Sequence, residues 1–183
     1  ATFLGAGAYN HFVPSAIPYL ATRGEFFTAY TPYQPEVSQG TLQAVFEYQS
    51  MVARLTGMEV VNASHYDGAT SMAEAAVMAM NVSNMKRRKI VVAPSVHPQY
   101  RNVLRTYLPT ENVTITGDEN LQNDLSALKG MLDKDTACLI VQNPTFFGDL
   151  LDVDGLADAV HAAGAMLVVV ANPVMSLGLL TPP

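Results

Sequence analysis

KIVVAPSVHPQYRNVL, residues 89–104, decides how this chain folds. After Lys89, four apolar residues run without a break from Ile90 to Ala93, a short turn carries His97 and Pro98, and a helical stretch follows to Leu108. A continuous apolar run of this length, bounded by turn residues and followed by a helix, is the signature of a strand buried on both faces in a parallel sheet. The pattern recurs on either side. Met58–Val61, Val113–Thr116, Ala137–Val141 and Met166–Val170 read as further strands, and Ala69–Asn84, Leu121–Leu132 and Val153–Ala163 as the crossover helices between them. The alternation predicts a three-layer α/β/α fold with a mostly parallel sheet.

Before residue 58 the reading changes. Leu42, Val45, Phe46, Val52 and Leu55 recur at helical spacing with Gln49 in the same stripe, so one long amphipathic helix is expected, with Ser38 as N-cap and Gly57 as its stop. Ahead of it lies TAYTPYQPEVSQG, residues 28–40, an aromatic and proline-rich loop that feeds into the helix N-terminus, where backbone donors favour an anionic neighbour. Length alone makes one domain the default. Within it we separate residues 1–57, the loop and long helix, from 58–183, the α/β core.

The 183 residues are 49% hydrophobic and 14% charged, as in a globular protein with a sizeable core. A net charge of −6 disfavours nucleic acid and membrane surfaces as partners. The one basic run, Lys86–Lys89, reads as solvated cations near a helix C-terminus. The single cysteine, Cys138, lies in a buried strand and cannot form a disulfide within the chain. No signal peptide or membrane-spanning run is present, which suits a cytoplasmic or organelle-matrix protein. Both ends look abrupt, and we expect a piece of something longer.

Several turns invite chemistry. Leu4–Asn10 has two glycines of a dinucleotide fingerprint, but Asn10 stands where the third is needed. Asn62–Ser71 follows a candidate strand and opens an Ala-rich helix, so its backbone either cradles a phosphate or forms a plain turn capped by Asp67 or Thr70. Gln142-Asn143-Pro144 and Ala171-Asn172-Pro173 end strands, at the edge where open α/β sheets bind ligands, and His97 shares that edge. The histidines at 11, 65, 97 and 161 show no metal-ligand spacing, and His161 reads as a plain helix residue.

Gly5–Asn10, Glu25–Gly40, Thr56–Met58, Tyr66–Thr70 with Ala73–Ala76, Ser95–Tyr100, Gln142–Pro144 and Ser176–Leu180 together resemble glycine decarboxylase, the P-protein of the glycine cleavage system. The likeness runs along the whole chain. The YTPYQPE loop is its most specific part, and YDGAT leans toward the first subunit of the two-subunit form. The resemblance implies the large domain of the aminotransferase-like, fold type I architecture, without the family's N-terminal segment and C-terminal domain. It implies a pyridoxal-phosphate enzyme that decarboxylates glycine and passes the aminomethyl group to the lipoyl arm of the H-protein, in a heterotetramer whose homologous subunits share the site.

Such an enzyme needs a lysine to hold its cofactor covalently. Lys86, Lys89, Lys129 and Lys134 all read as solvated, and Asn172 stands where the family fold places an Asp facing the pyridine nitrogen. The resemblance therefore assigns the cofactor to subunit 2. It implies that Tyr30, Thr31, Tyr33, Gln34, Glu36 and Gln39 reach across to the partner's site, unless that loop packs only on its own domain. By fold analogy Asp67, Gly68, Ala69, Thr70, His97 and Asn172 mark this chain's own, vestigial, cofactor position. Two alternatives stay open: a structural partner subunit that stays outside the active site, or another fold type I enzyme such as an aminotransferase or desulfurase.

Overall fold

The computed structural model describes residues 10–108 and 112–183, so most of the Leu4–Asn10 turn lies outside the described residues. These form two compact units, one running to Ser64 and including Thr181–Pro183, the other spanning His65–Leu180. Length alone favours one domain, but burial divides the chain. Among the described residues, every buried hydrophobic side chain lies between Ala69 and Ala165.

The second unit is the α/β core. Four strands, β1 (Lys89–Val92), β2 (Thr114–Thr116), β3 (Thr136–Gln142) and β4 (Met166–Val170), pair in parallel in the order β2-β1-β3-β4. All seven residues of β3 are buried, so both faces of the sheet are covered there, as its unbroken apolar run predicts. Each fully buried Leu, Ile or Val contributes about 1.5–3 kcal/mol, and Ile90, Val91, Val92, Leu139, Ile140 and Val141 form the centre of this core.

Helix α4 (Gly68–Val82) packs on β3 and β4. Its Ala69, Met72, Ala73, Ala76, Ala79 and Met80 are buried, a stripe at helical spacing whose alanines allow a close approach. Asp67 starts it with a capping box: its carboxylate accepts the Thr70 N–H at 2.7 Å, and the Thr70 hydroxyl accepts the Asp67 N–H at 3.1 Å. Helix α5 (Pro98–Tyr107) begins at His97, whose Nδ1 accepts the Gln99 N–H at 3.1 Å. Two further helices, α6 (Leu125–Gly130) and α7 (Leu156–Ala162), are shorter than their apolar patterns suggest. Asp124 caps α6 by accepting the Ala127 N–H at 2.8 Å, and Gly155 in the left-handed region starts α7.

The first unit holds α1 (Ala16–Ala21), α2 (Gly24–Phe27) and the long α3 (Gln39–Thr56), which Gly57 ends at φ +71°. Ser38 occupies the expected N-cap position, without a side-chain capping bond. One expectation is corrected here. Met58–Val61 is not a strand: it pairs with no neighbour among the described residues, and the Val61 carbonyl accepts from the Gln49 side chain. Of the apolar stripe on α3, Val45 and Val52 are half-buried while Leu42, Phe46 and Leu55 stay exposed.

The basic run is also corrected in part, because Arg87 and Lys89 are stitches between segments while Arg88 stays exposed. Arg87 donates to the carbonyls of Thr136 and Ala163 at 3.1 and 2.9 Å. Arg88 Nε reaches the Met85 carbonyl at 3.0 Å. Lys89 lies in β1 and binds the Met131 carbonyl and the Asp133 carboxylate, both at 2.7 Å. The Arg87 and Lys89 bonds join segments the sheet brings together, which charge counting along the chain cannot reveal. No helix among the described residues is long and apolar enough to cross a membrane.

Candidate functional site

In the order β2-β1-β3-β4 the chain leaves β1 toward β2 and then returns to β1's other side for β3. The carboxyl ends of β1 and β3 therefore flank a topological switch point, where open α/β sheets form their ligand crevice. His97 follows β1 and Gln142 ends β3, and the two meet there: the buried Gln142 Oε1 accepts the His97 N–H at 2.9 Å.

Aromatic rings close around this contact. The His97 ring stacks on Tyr100 with centroids 5.0 Å apart and planes at 28°, and meets Phe146 edge-on at 4.8 Å. Phe146 is held by its N–H, which donates to the Ser95 carbonyl at 2.9 Å. The turn after β3 is tied to β4, since the Asn143 N–H donates to the Val170 carbonyl at 3.0 Å. From the end of β4, Asn172 Nδ2 donates to the Tyr100 hydroxyl at 3.3 Å.

Helix α4 completes the group. A Cβ on Gly68 would lie 3.0 Å from Tyr100 Cζ and nearer still to the hydroxyl, so only glycine lets the phenol sit against this helix start. Below it lies a hollow of about 290 Å³ lined by Gly68, Ser71, Met72, Ala75, Tyr100 and the end of β4. Hydrogen bonds from Thr70, backbone first and hydroxyl second, hold the Asp67 carboxyl below its ordinary range. Burial, with the Asp67 charge nearby, pushes the Tyr100 phenol up.

The structure thus gathers Asp67, Gly68, Ala69, Thr70, His97 and Asn172 at one edge, as the strand ends suggest. It brings in Gln142, whose motif the sequence already placed at this edge, and adds Tyr100 and Phe146. Tyr100 follows His97 by one helical turn. For a phosphorylated pyridine ring the set does not fit. The ring face of His97 is covered by Tyr100, the strand-end group is an amide already bonded to that phenol, and a carboxylate caps the helix start. Of the two readings of residues 66–71, the geometry is that of the capped turn.

The first unit presents the other candidate residues. Tyr30, Thr31, Tyr33, Gln34, Glu36 and Gln39 are all exposed, Tyr30 by 82% and Tyr33 by 80%. The loop is nonetheless ordered by its own turns: the Tyr33 N–H donates to the Thr31 carbonyl at 2.8 Å and the Val37 N–H to the Gln34 carbonyl at 3.1 Å. The two tyrosine rings lie 6.5 Å apart. Val37, Ser38, Gly40 and Thr41 line a hollow of about 560 Å³ that Glu25 and Tyr48 also border. Gln39 opens α3, whose first turn carries no acidic residue and no side-chain cap.

Among the described residues no group of three or more His, Cys, Asp or Glu side chains is placed to hold a metal. Lys89 is engaged within β1, and none of Lys86, Lys89, Lys129 and Lys134 lines either hollow.

Comparison with known proteins bears on this arrangement. The family described as Glycine cleavage system P-protein matches residues 1–183. A probable glycine dehydrogenase (decarboxylating) subunit 1 of Thermomicrobium roseum is 54% identical over 186 positions, covering 100% of this chain and 41% of that protein. Its counterpart in Moorella thermoacetica is 52% identical, again over 100% of this chain and 41% of its own length. A crystal structure of glycine decarboxylase (P-protein) of the glycine cleavage system, in inhibitor-bound form, aligns with TM-score 0.88 and 47% identity over 99% of this chain and 40% of that one. The chain thus spans about two fifths of the length of the relatives it matches. Matched along its whole length and half-identical to named members, the chain belongs to the P-protein family of the glycine cleavage system.

Proposed function

We propose that this chain is part of subunit 1 of a glycine dehydrogenase (decarboxylating), and that it lends the loop at 30–39 to an active site whose pyridoxal phosphate is held by subunit 2. In this reaction glycine loses its carboxylate as CO₂, and its aminomethyl carbon passes to the lipoyl arm of the H-protein. The cofactor, when bound, withdraws electrons from the substrate carbon. This chain contributes binding, orientation and exclusion of water.

One observation carries the reading: six polar or aromatic side chains of an ordered loop all face outward. An ordered loop that leaves two phenols, a carboxylate and two amides exposed suits a contact with another surface. Tyr30 and Tyr33 supply ring surface and hydroxyls that shield the substrate. Glu36 is the loop's one carboxylate and attracts the glycine ammonium. The uncapped start of α3, at Gln39 and Gly40, suits the substrate carboxylate. The subunit 1 names of the relatives support a second chain, and the sheet edge filled by Tyr100 supports a cofactor held elsewhere.

The test uses the full-length subunit assembled with subunit 2 and lipoylated H-protein, measuring glycine-dependent CO₂ exchange. Replacing Tyr33 and Glu36 together by alanine lowers exchange by about 10²-fold at unchanged assembly. Exchange at the wild-type rate in the assembled double variant rejects the proposal. The filled sheet edge also favours a second reading, a purely structural partner. Under it the same substitutions reduce the amount of complex on gel filtration but leave turnover per complex untouched.

A further inference from the structure

We infer that Tyr100 and Asp67 together act as a built-in occupant that closes this chain's own sheet edge to phosphorylated aromatic ligands. A ligand of that class needs three things at such an edge: a ring face to stack on, a polar group at a strand end for its ring, and a helix N-terminus for its phosphate. Each is present, and each is already taken by a group of this chain.

The ring position belongs to Tyr100. Its phenol lies on the His97 imidazole at 5.0 Å and 28°, the geometry of an offset stack, while Phe146 covers the imidazole edge at 4.8 Å. Its hydroxyl accepts from Asn172 at 3.3 Å, which satisfies the strand-end amide internally. The phenol also rests on Gly68, at the first residue of α4, where any larger side chain would displace it. The anion position belongs to Asp67, whose carboxylate takes the Thr70 N–H at 2.7 Å and the Thr70 hydroxyl at 2.9 Å. A phosphate entering there meets a like charge. The hollow left beneath the phenol, about 290 Å³, is at the foot of the roughly 300–1,000 Å³ range of small-molecule sites.

Ring and charge block independently, so neither change alone opens the edge. Tyr100→Ala leaves the carboxylate, and Asp67→Asn keeps the cap but leaves the phenol. Only the double variant joins the phenol's volume to the hollow and frees the helix start of charge. The consequence for the assembled enzyme is one cofactor per pair of subunits, because this chain refuses its own.

The experiment uses full-length subunit 1 assembled with subunit 2, with the partner's site loaded with pyridoxal phosphate beforehand. Uptake of added pyridoxamine 5′-phosphate, an amine that cannot condense with a lysine, is measured by equilibrium dialysis. Wild type and each single variant take up none beyond the loaded site. Tyr100→Ala with Asp67→Asn takes up about one equivalent per copy of this chain, an apparent affinity at least ~tenfold above wild type. A wild-type enzyme that takes up an extra equivalent overturns the inference, with no variant needed. A folded and assembled double variant that takes up none also overturns it; Tyr100→Ser with Asp67→Asn is the alternative pair if the alanine version fails to assemble. Glycine-dependent exchange on the same samples reports the shared site separately, so the loop proposal and this inference fail by different readouts.

Discussion

Asp118 tests whether the turn that carries His97 is held by electrostatics. Its side chain is only 3% exposed and accepts two charge-assisted hydrogen bonds, from Arg101 Nη1 at 3.0 Å and Arg105 Nη2 at 2.7 Å. Arg101 Nε also donates to the Val96 carbonyl at 3.1 Å, so the carboxylate fixes a guanidinium that in turn fixes the backbone beside His97. The perturbation is Asp118→Asn, which keeps the shape and removes the charge. A buried hydrogen bond to a charged group contributes about 1.5–3 kcal/mol, whereas the half-exposed Arg105 contact counts for about 0–1. Because Asn still accepts one bond, a net loss of about 1.5–3 kcal/mol is expected, or a fall in Tm of roughly 5–10 °C at this chain size.

The pH dependence gives a second, sharper reading. Burial raises the Asp118 carboxyl, but the hydrogen bonds from Arg105 and Arg101 outweigh it, and the group ends below its ordinary 3.8. A depressed carboxyl adds stability above its unfolded value, and that stability is lost as pH falls through the folded one. The gap between wild type and Asp118→Asn, followed by circular dichroism during thermal unfolding, therefore narrows on acidification. A drop in Tm of less than a degree at neutral pH, or a gap unchanged from pH 7 to pH 2, refutes the reasoning.

Two other outcomes follow from packing. Gly68→Ala forces a Cβ to within 3.0 Å of Tyr100 Cζ, costing about 1–3 kcal/mol; Tyr100→Phe removes the hydroxyl it meets first, so the double variant is less destabilised than the sum of the singles in urea unfolding. Additive losses would show that the phenol does not rest there. Cys138 is fully buried and burial pushes its thiol up to about 12, so an aromatic disulfide reagent modifies it only after denaturant is added. Modification of the native protein at the rate of a free thiol contradicts the burial of β3.

Much of the core was legible in the chain because its causes are local. The unbroken apolar runs Ile90–Ala93 and Ala137–Val141 specify strands buried on both faces, and Gly57 stops α3 through its own backbone freedom. Asp67 caps α4 by a bond to a residue three positions on. Met58–Val61 shows the limit of the same rule, since β-branched residues make a strand only where a neighbouring strand accepts their backbone, and among the described residues none does there. The order β2-β1-β3-β4 depends on pairings between distant segments, and with it the switch point where His97 meets Gln142.

Side-chain destinations were decided later still. Lys89 looks solvated in a run of four cations, yet parallel pairing carries it to the Met131 carbonyl and Asp133. Tyr100 looks like an ordinary helix residue until the ends of β1 and β4 place His97 beneath its ring and Asn172 at its hydroxyl. The sequence by itself determined the four strands of the sheet, the long helices α3 and α4 and the family motifs, because periodicity and capping act within a few residues. Only the tertiary structure decided that the sheet edge is filled from within while the loop at 30–39 faces outward, because both depend on what segments far apart in the chain leave covered or exposed.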